Sequence, residues 1–326
     1  MTPVARAPDV DAALARRFAP AVEAGELLVV VGPTGSGKTE LAIRLARALG
    51  GEVVGADSVQ IYRGFDLGSG KPSAAERALA PHHLVDVADP LEPFDAARFA
   101  ALAAAAIADI TARGRVPVVC GGTFLWVKAL LYGLAPAPPA SPELRARHAR
   151  LAAERGRTYL HDALRAVDPE SAARLAPNDL VRVSRALEIH ELTGRPQSHW
   201  HADHGFARPR YRARLIALER ARPELDRRLV ERTARWLAAG WVAEVRALLP
   251  HYAAARAMAS VGYRQVRAHL DGELTEADLG PAIVRATRVF VRRQRTWLRD
   301  APVTWLAPAD AGQPELPEAS AGPAAD

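Results

Sequence analysis

The octapeptide Gly32, Pro33, Thr34, Gly35, Ser36, Gly37, Lys38, Thr39 constrains this chain more than any other stretch. It fits G-x-x-x-x-G-K-T, and its flanks fit as well. LLVVV, Leu27–Val31, reads as a short, wholly apolar strand, and TELAIRLARAL repeats Leu41, Leu45, Ala48 and Leu49 at helical spacing before Gly50 stops it. A strand, a glycine turn and a helix in that order form a phosphate cradle. The glycines let successive N–H groups curl around a phosphate, and the helix N-terminus adds positive partial charge. Lys38 adds an ammonium, and Thr39 offers a hydroxyl to a divalent metal.

The alternation continues. Residues 52–56 predict a second strand, 96–112 a long Ala-rich helix, 116–120 another buried strand and 124–131 the next helix. This is the pattern of an α/β, P-loop NTPase, nucleotide kinase-like parallel sheet, with ligand sites beyond the carboxyl ends of the strands. APAPPASP at 135–142 breaks the pattern, and four helical stretches follow: 143–154, 159–167, 170–175 and 180–192. RLIAL at 214–218 reads as a returning core strand. Residues 137–205 are therefore expected to form a helical insertion domain in a core built from 26–136 and 206–306. Two or three helices should follow Pro223, the last spanning 283–299. Residues 1–25 and 307–326, rich in Ala, Pro and acids, are expected to be weakly ordered tails.

Charge and cysteine usage narrow the chemistry. The formal net charge is +6, but residues 300–326 hold five acids and no base, so residues 1–299 carry +11. Such a body suits a polyanionic partner, or simply reflects abundant arginine. Only Lys38, Lys71 and Lys128 break the rule of arginine, each in a Gly-containing or strand-to-helix segment. In such a chain, a compact ammonium that persists is one a site's geometry requires. The single cysteine, Cys120, excludes internal disulfides and thiolate metal clusters, so any metal must take oxygen or nitrogen ligands. No apolar run reaches the ~18 to 20 residues of a spanning helix, and the N-terminus lacks the order of a secretory signal. A cytoplasmic address, without membrane partners, is expected.

A P-loop specifies a diphosphate, not a reaction. ATP hydrolysis also needs an apolar strand ending in an acid near the metal. Here VPVVC runs into Gly121, Gly122 and Thr123 without a carboxylate, and Asp86 in HHLVDVAD reads as an exposed polar position on a short alternating strand. The acid in a suitable place is Asp57, directly after EVVGA, at the carboxyl end of the second strand. It either caps a turn with Ser58 or faces the diphosphate as a general base or metal-associated acid.

With these pieces placed, the sequence resembles the tRNA dimethylallyltransferase, or tRNA isopentenyltransferase, family of bacterial type. The resemblance rests on GPTGSGKTELA (32–42), ADSVQIYRGFDLGSGKP (56–72), PHHLVDV (81–87), VVCGGTFLWVKALLYGL (118–134), NDLVRVSRALEI (178–189), ASVGYRQ (259–265) and RATRVFVRRQRTWLR (285–299). All three lysines fall inside these segments. The resemblance implies that the cradle binds the diphosphate leaving group of dimethylallyl diphosphate, with Mg²⁺. The five-carbon group then passes to N6 of the adenosine 3′ of the anticodon. It further implies catalytic roles for Asp57, Thr123 and Lys38, with Thr39 on the metal. RNA contacts are implied for Asp57, Ser58, Val59 and Gln60; for Val181, Arg182, Val183, Ser184 and Arg185; and for Val261, Gly262, Tyr263, Arg264 and Gln265. In that last segment Tyr263 is expected to supply a stacking face for the anticodon loop. The arginines of 285–299 are either a solvated face or a phosphate-contacting one. No protein partner is required. Thr123 can also cap the helix that follows it.

Two other classes share part of this pattern. A small-molecule P-loop kinase would consume ATP and ignore tRNA, and a non-catalytic RNA-binding protein would have no use for Asp57 beside a phosphate cradle.

Overall fold

The computed structural model describes residues 10–299 and 301–313. They form two compact units, one made of the chain up to Leu131 and from Tyr211 onward, the other spanning Tyr132–Arg210.

The first unit is built on six parallel strands: β1 (Leu27–Val31), β2 (Glu52–Gly55), β3 (His82–His83), β4 (Pro117–Gly121), β5 (Ala213–Leu218) and β6 (Val303–Leu306). Their order across the sheet is β3-β2-β4-β1-β5-β6. Strand β1 lies in the middle, with Leu28 opposite Val118 on one side and Arg214 on the other. Every residue of β1 is buried, which is why it reads as an unbroken apolar run rather than an alternating one. Helices α1 (Val10–Glu23), α2 (Lys38–Ala48), α3 (Ala74–Leu79), α4 (Ala96–Ala112) and α5 (Phe124–Tyr132) belong to the first pass of the chain. Ser73 opens α3 with a capping box, and Asp95 caps α4 by accepting the Arg98 N–H at 2.9 Å.

Helices α6 (Pro142–Arg155), α7 (Arg157–Val167), α8 (Pro169–Arg174), α9 (Leu180–Thr193) and α10 (Gln197–His204) make up the second unit. Its core joins Leu160, Leu164, Val183 and Ala186. Fully buried Glu188 is tolerated there because Arg145 (3.1 Å), Arg185 (2.5 Å) and the Ser141 N–H (2.5 Å) all donate to it. The chain returns to the first unit and adds α11 (Arg222–Ala238), α12 (Trp241–Tyr252), α13 (Tyr263–Leu270) and α14 (Glu276–Arg299). Among the described residues no helix is long and apolar enough to cross a membrane.

Four expectations are corrected. Residues 10–23 are not a loose tail but a helix whose Leu14, Phe18 and Ala21, spaced i, i+4, i+7, join the core cluster of Leu41 and Leu45. Pro20 inside α1 hides that stripe from a composition-based reading. At the other end, residues 307–313 are ordered, with Ala311 and Gln313 buried; residues 1–9 and 314–326 lie outside the described residues. Among the described residues four α-helices, not two or three, follow β5, and the last, α14, starts at Glu276 rather than at residue 283, with Pro281 inside it. Finally, Asp86 is not on a strand. Leu84 and Asp86 both take positive φ (60° each), which turns the chain away after His83 and swings Asp86 onto Lys71.

Candidate active site

The cradle is held open from behind. The Gly35 carbonyl accepts from Arg228 Nε (2.9 Å), the Ser36 carbonyl from Arg220 Nε (3.2 Å) and the Gly37 carbonyl from Gln313 Nε2 (2.8 Å). Gln294 closes the front of the loop: its Oε1 accepts the Thr34 N–H at 2.9 Å while its Nε2 donates to the Gly122 carbonyl at 3.0 Å. With those carbonyls engaged, the first-turn N–H groups of α2, beginning at Lys38, remain for an anion. Gly37 is obligatory. Its φ is 96°, and a Cβ there would come within 2.1 Å of the Gln313 amide oxygen.

Beyond the cradle opens a cleft of about 450 Å³ lined by Lys38, Thr39, Asp57, Gln60, Arg228, Arg232, Trp236, Phe290 and Gln294 among others. Burial pushes the Lys38 ammonium below its ordinary range, an effect opposed by Cys120 and Asp57 and reinforced by Arg232. Burial likewise brings the Arg232 guanidinium down to about 10, with repulsion from Arg228 and Arg235 adding to it and Asp57 opposing it. Arg232 Nε is buried with no hydrogen-bond partner. A pocket that crowds desolvated cations and leaves a guanidinium nitrogen without a hydrogen bond has the electrostatics to hold a multiply charged anion. Cys120 takes no part: burial pushes its thiol up to about 12.

Asp57 follows β2 and lies in the same cleft. Its Oδ1 accepts the Val59 N–H (2.9 Å) and the Gln60 N–H (3.3 Å), so it does close the turn expected of it. Among the described residues, nothing donates to Oδ2. The two readings of Asp57 are therefore compatible, one per oxygen. Thr123, past the end of β4, does not cap α5 with its side chain. Its Oγ1 accepts the Ser58 N–H at 3.1 Å and lies 3.3 Å from Ser58 Oγ, tying the ends of β4 and β2 together.

The stretch from Asp57 to Pro72 is a braced loop. Gln60 Nε2 donates to the carbonyls of Ser69 (3.1 Å) and Gly70 (2.9 Å). The buried Lys71 ammonium bridges Asp66 and Asp86 at 2.5 Å each and reaches the Tyr62 carbonyl at 2.9 Å. Lys71 and Asp86 are thus a clasp, with Arg77 on the far oxygen of Asp86 at 3.0 Å. Glu244 completes the brace, accepting the Leu67 N–H at 2.8 Å and the Tyr263 hydroxyl at 2.6 Å. Trp241 is wedged beneath. A Cβ on either Gly68 or Gly262 would fall within 2.2 Å of its ring.

That geometry overturns the stacking role expected of Tyr263. Its ring is fully buried, packed on Phe65 (4.9 Å) and Trp241 (5.6 Å), and has no face to offer a base. Gln265 is buried too, its Oε1 accepting the Gly262 N–H at 2.8 Å, so within Val261, Gly262, Tyr263, Arg264 and Gln265 only Arg264 is exposed. The segment 181–185 divides the same way. Val181 is 80% exposed and Arg182 is exposed beside Asp179, whereas Val183 is core, Ser184 bonds the buried His148 ring at 2.9 Å and Arg185 is held by Glu188. On α14 the buried stripe of Ile283, Thr287, Val291, Gln294 and Leu298 leaves Arg285, Arg288, Arg292, Arg293, Arg295 and Arg299 exposed.

Sequence reasoning missed Arg220, Arg228, Arg232, Gln294 and Gln313. The i, i+4 spacing of Arg228 and Arg232 was present, but in an arginine-rich chain it is the same signal as a solvated helix face.

A parallel sheet in this order, with a glycine cradle at its carboxyl edge and a carboxylate in the same cleft, defines a P-loop protein of nucleotide kinase-like fold. Comparison with known proteins narrows the class. The IPP transferase family model matches residues 60–301 and the isopentenyl transferase model residues 25–81. A tRNA dimethylallyltransferase of Sorangium cellulosum is 71% identical over 284 residues, covering 87% of this chain and 90% of that one. Its counterpart in Anaeromyxobacter dehalogenans (strain 2CP-C) is 53% identical, covering 86% and 95%. Among solved structures, the full-length tRNA isopentenylpyrophosphate transferase of Bacillus halodurans superposes with a TM-score of 0.64 at 35% identity, over 87% of this chain and 90% of that one. A eukaryotic dimethylallyltransferase acting on tRNA superposes at 0.72 with 25% identity, over 86% and 73%. The chain belongs to the IPP transferase family, that of the tRNA dimethylallyltransferases.

Proposed function

We propose that one cleft, floored by the P-loop and walled by α11 and the 57–72 loop, carries the whole of this chain's chemistry. The chain transfers a dimethylallyl group from dimethylallyl diphosphate to tRNA. The acceptor is N6 of the adenosine 3′ of the anticodon. The C1–O bond of the donor breaks and its electron pair leaves with diphosphate. The N6 lone pair forms the new bond to C1, and the N6 proton passes to Asp57.

The observation that carries this reading is the division of labour on Asp57. Oδ1 is anchored by two backbone N–H groups, so Oδ2 is held ready without having to be ordered by substrate. An exocyclic adenine amine is a poor nucleophile, and a fixed carboxylate that accepts its hydrogen bond both aims it and takes its proton. Lys38, the first-turn amides of α2, Arg228 and Arg232 face the charge that develops on the leaving diphosphate. Thr123 acts on this site through Ser58.

A divalent metal fits the donor set. Among the described residues no three His, Cys, Asp or Glu side chains are grouped to hold one, so the ion must take most ligands from substrate oxygens and water, as Mg²⁺ does. The hydroxyl of Thr39, a residue that lines the cleft, and diphosphate oxygens would hold Mg²⁺, which helps to neutralise the leaving group. The helical residues 137–205 serve RNA binding through Val181 and Arg182, and the exposed arginines of α14 through phosphate contacts. A cytoplasmic setting suits a tRNA substrate.

The test is mass spectrometry of nucleosides from tRNA incubated with enzyme, dimethylallyl diphosphate and Mg²⁺. A prenylated adenosine mapped to the anticodon-adjacent position is expected, and its absence with Asp57→Asn. Product formed on the same adenosine at the wild-type rate by Asp57→Asn would show that the proton leaves by another route.

A further inference from the structure

The cleft that grips a diphosphate so heavily has little for a hydrocarbon to touch. Among the described residues two large apolar side chains line it, Trp236 and Phe290. On α11, Arg228 bonds the Gly35 carbonyl at floor level, Arg232 is one turn further along, and Trp236 is eight residues beyond Arg228, about 12 Å up the helix. On α14, Gln294 bonds Thr34 at the floor, and Phe290 lies four residues earlier, about 6 Å along the helix. If a diphosphate is seated on the cradle, this pair is the large apolar surface of the same cleft that its prenyl tail can meet.

Trp236 cannot swing aside. The Arg232 guanidinium lies 4.5 Å from its ring centroid, the buried Trp241 ring meets it at a T-shaped 5.6 Å, and the backbone of Gly70 comes so close that a Cβ there would sit 3.1 Å from the indole. A ring braced on three sides is a rigid stop rather than an adaptable wall. Phe290, 39% exposed, closes the cleft only partly.

We propose that Trp236 is the residue that limits the donor to five carbons, with Phe290 as the side wall of the same subsite; the proposal rests on the reading of this cleft as the donor site. A ten-carbon allylic diphosphate, seated on the same cradle, would drive its second isoprene unit into the indole. Its rejection is steric, so removing the ring admits it, whereas a pocket that merely contacts methyl groups discriminates chain length weakly.

The experiment measures kcat/KM of the full chain for dimethylallyl and geranyl diphosphates with an anticodon stem-loop RNA. The wild type should prefer the shorter donor by at least ~100-fold; Trp236→Ala should shrink that preference at least ~10-fold, and Trp236→Phe, which keeps the packing on Arg232 and Gly70, about threefold. Phe290→Ala, at an exposed position, should shrink it about twofold. A ratio unchanged in all three variants, or a wild type indifferent to chain length, overturns the proposal. Donor binding by Lys38→Ala is measured alongside. If Lys38→Ala binds both diphosphates as tightly as the wild type, the cleft is not the donor site, a failure distinct from that of Trp236.

Discussion

Strand β2 carries an acid near each end, and the two are treated in opposite ways. Glu52, at its start, is closed off: both carboxylate oxygens meet the guanidinium of Arg113, His83 Nε2 adds a bond at 2.7 Å, and the pair with Arg113 holds its carboxyl down to about 2. Asp57, just past the other end, spends one oxygen on the backbone, and among the described residues nothing donates to the other. Four residues separate a carboxylate bound up wholly in the fold from one with an oxygen still to bond. At the amino end of β2 the carboxylate is saturated, and at the carboxyl end it is not. In the cleft beside Asp57, Arg232 Nε is likewise buried without a hydrogen-bond partner, and such groups are what a ligand can use.

The contrast breaks most visibly if Asp57 is altered. Asp57→Asn keeps the turn through its amide oxygen but loses the proton acceptor, so turnover should fall by roughly 10² or more while tRNA affinity changes little. Single-turnover kinetics with separate RNA binding check this; loss of donor binding with an intact chemical step would make Asp57 a metal-associated acid. Lys38→Ala should cost about a hundredfold in rate, and Lys38→Arg should not restore it, because a planar fork does not fit a cradle built for a point charge.

Glu52→Gln sharpens the comparison from the other end. It should leave kcat untouched but destabilise the fold by about 2 kcal/mol at neutral pH through lost charge-assisted bonds. Because the folded state lowers the Glu52 pKa, that contribution is present above about 4.5, the ordinary value, and disappears as pH falls toward about 2. Urea unfolding of both proteins at pH 7 and in acid should therefore show a gap that closes in acid.

Tyr263→Phe removes one hydrogen bond to Glu244 and should cost about 1 kcal/mol of stability, with equal small effects on cognate and unrelated RNA. A loss confined to cognate RNA would mean the ring becomes exposed in the complex. Smallest of all, Arg292→Ala should reduce the log-log salt slope of tRNA binding by about 0.9; an unchanged slope makes that part of α14 a solvated face.

Much of this was legible from the chain because it is local. β1, the cradle and α2 are contiguous, and their apolar run, glycines and helical repeat each have one reading. Asp57 was legible because a strand puts the residue after it at a known edge. What stayed hidden depends on partners distant in sequence. No local pattern announces that Tyr263 faces inward, because its burial comes from Phe65 and Trp241 and its hydroxyl from Glu244. A glycine followed by an aromatic and an arginine looks the same whether it is offered to RNA or folded under a loop. Helix α1 was obscured by its own composition, since alanine and proline dilute the three apolar residues that dock it.

The amides that brace the cradle lie 260 residues beyond Thr34 and 276 beyond Gly37 in the chain. During synthesis the glycine loop emerges early, and the side chains that turn its carbonyls outward emerge among the later residues. Contacts of such long range form slowly and form together with the sheet edge that β6 completes. A growing polypeptide therefore carries the phosphate-binding motif for most of its translation without a finished phosphate-binding site.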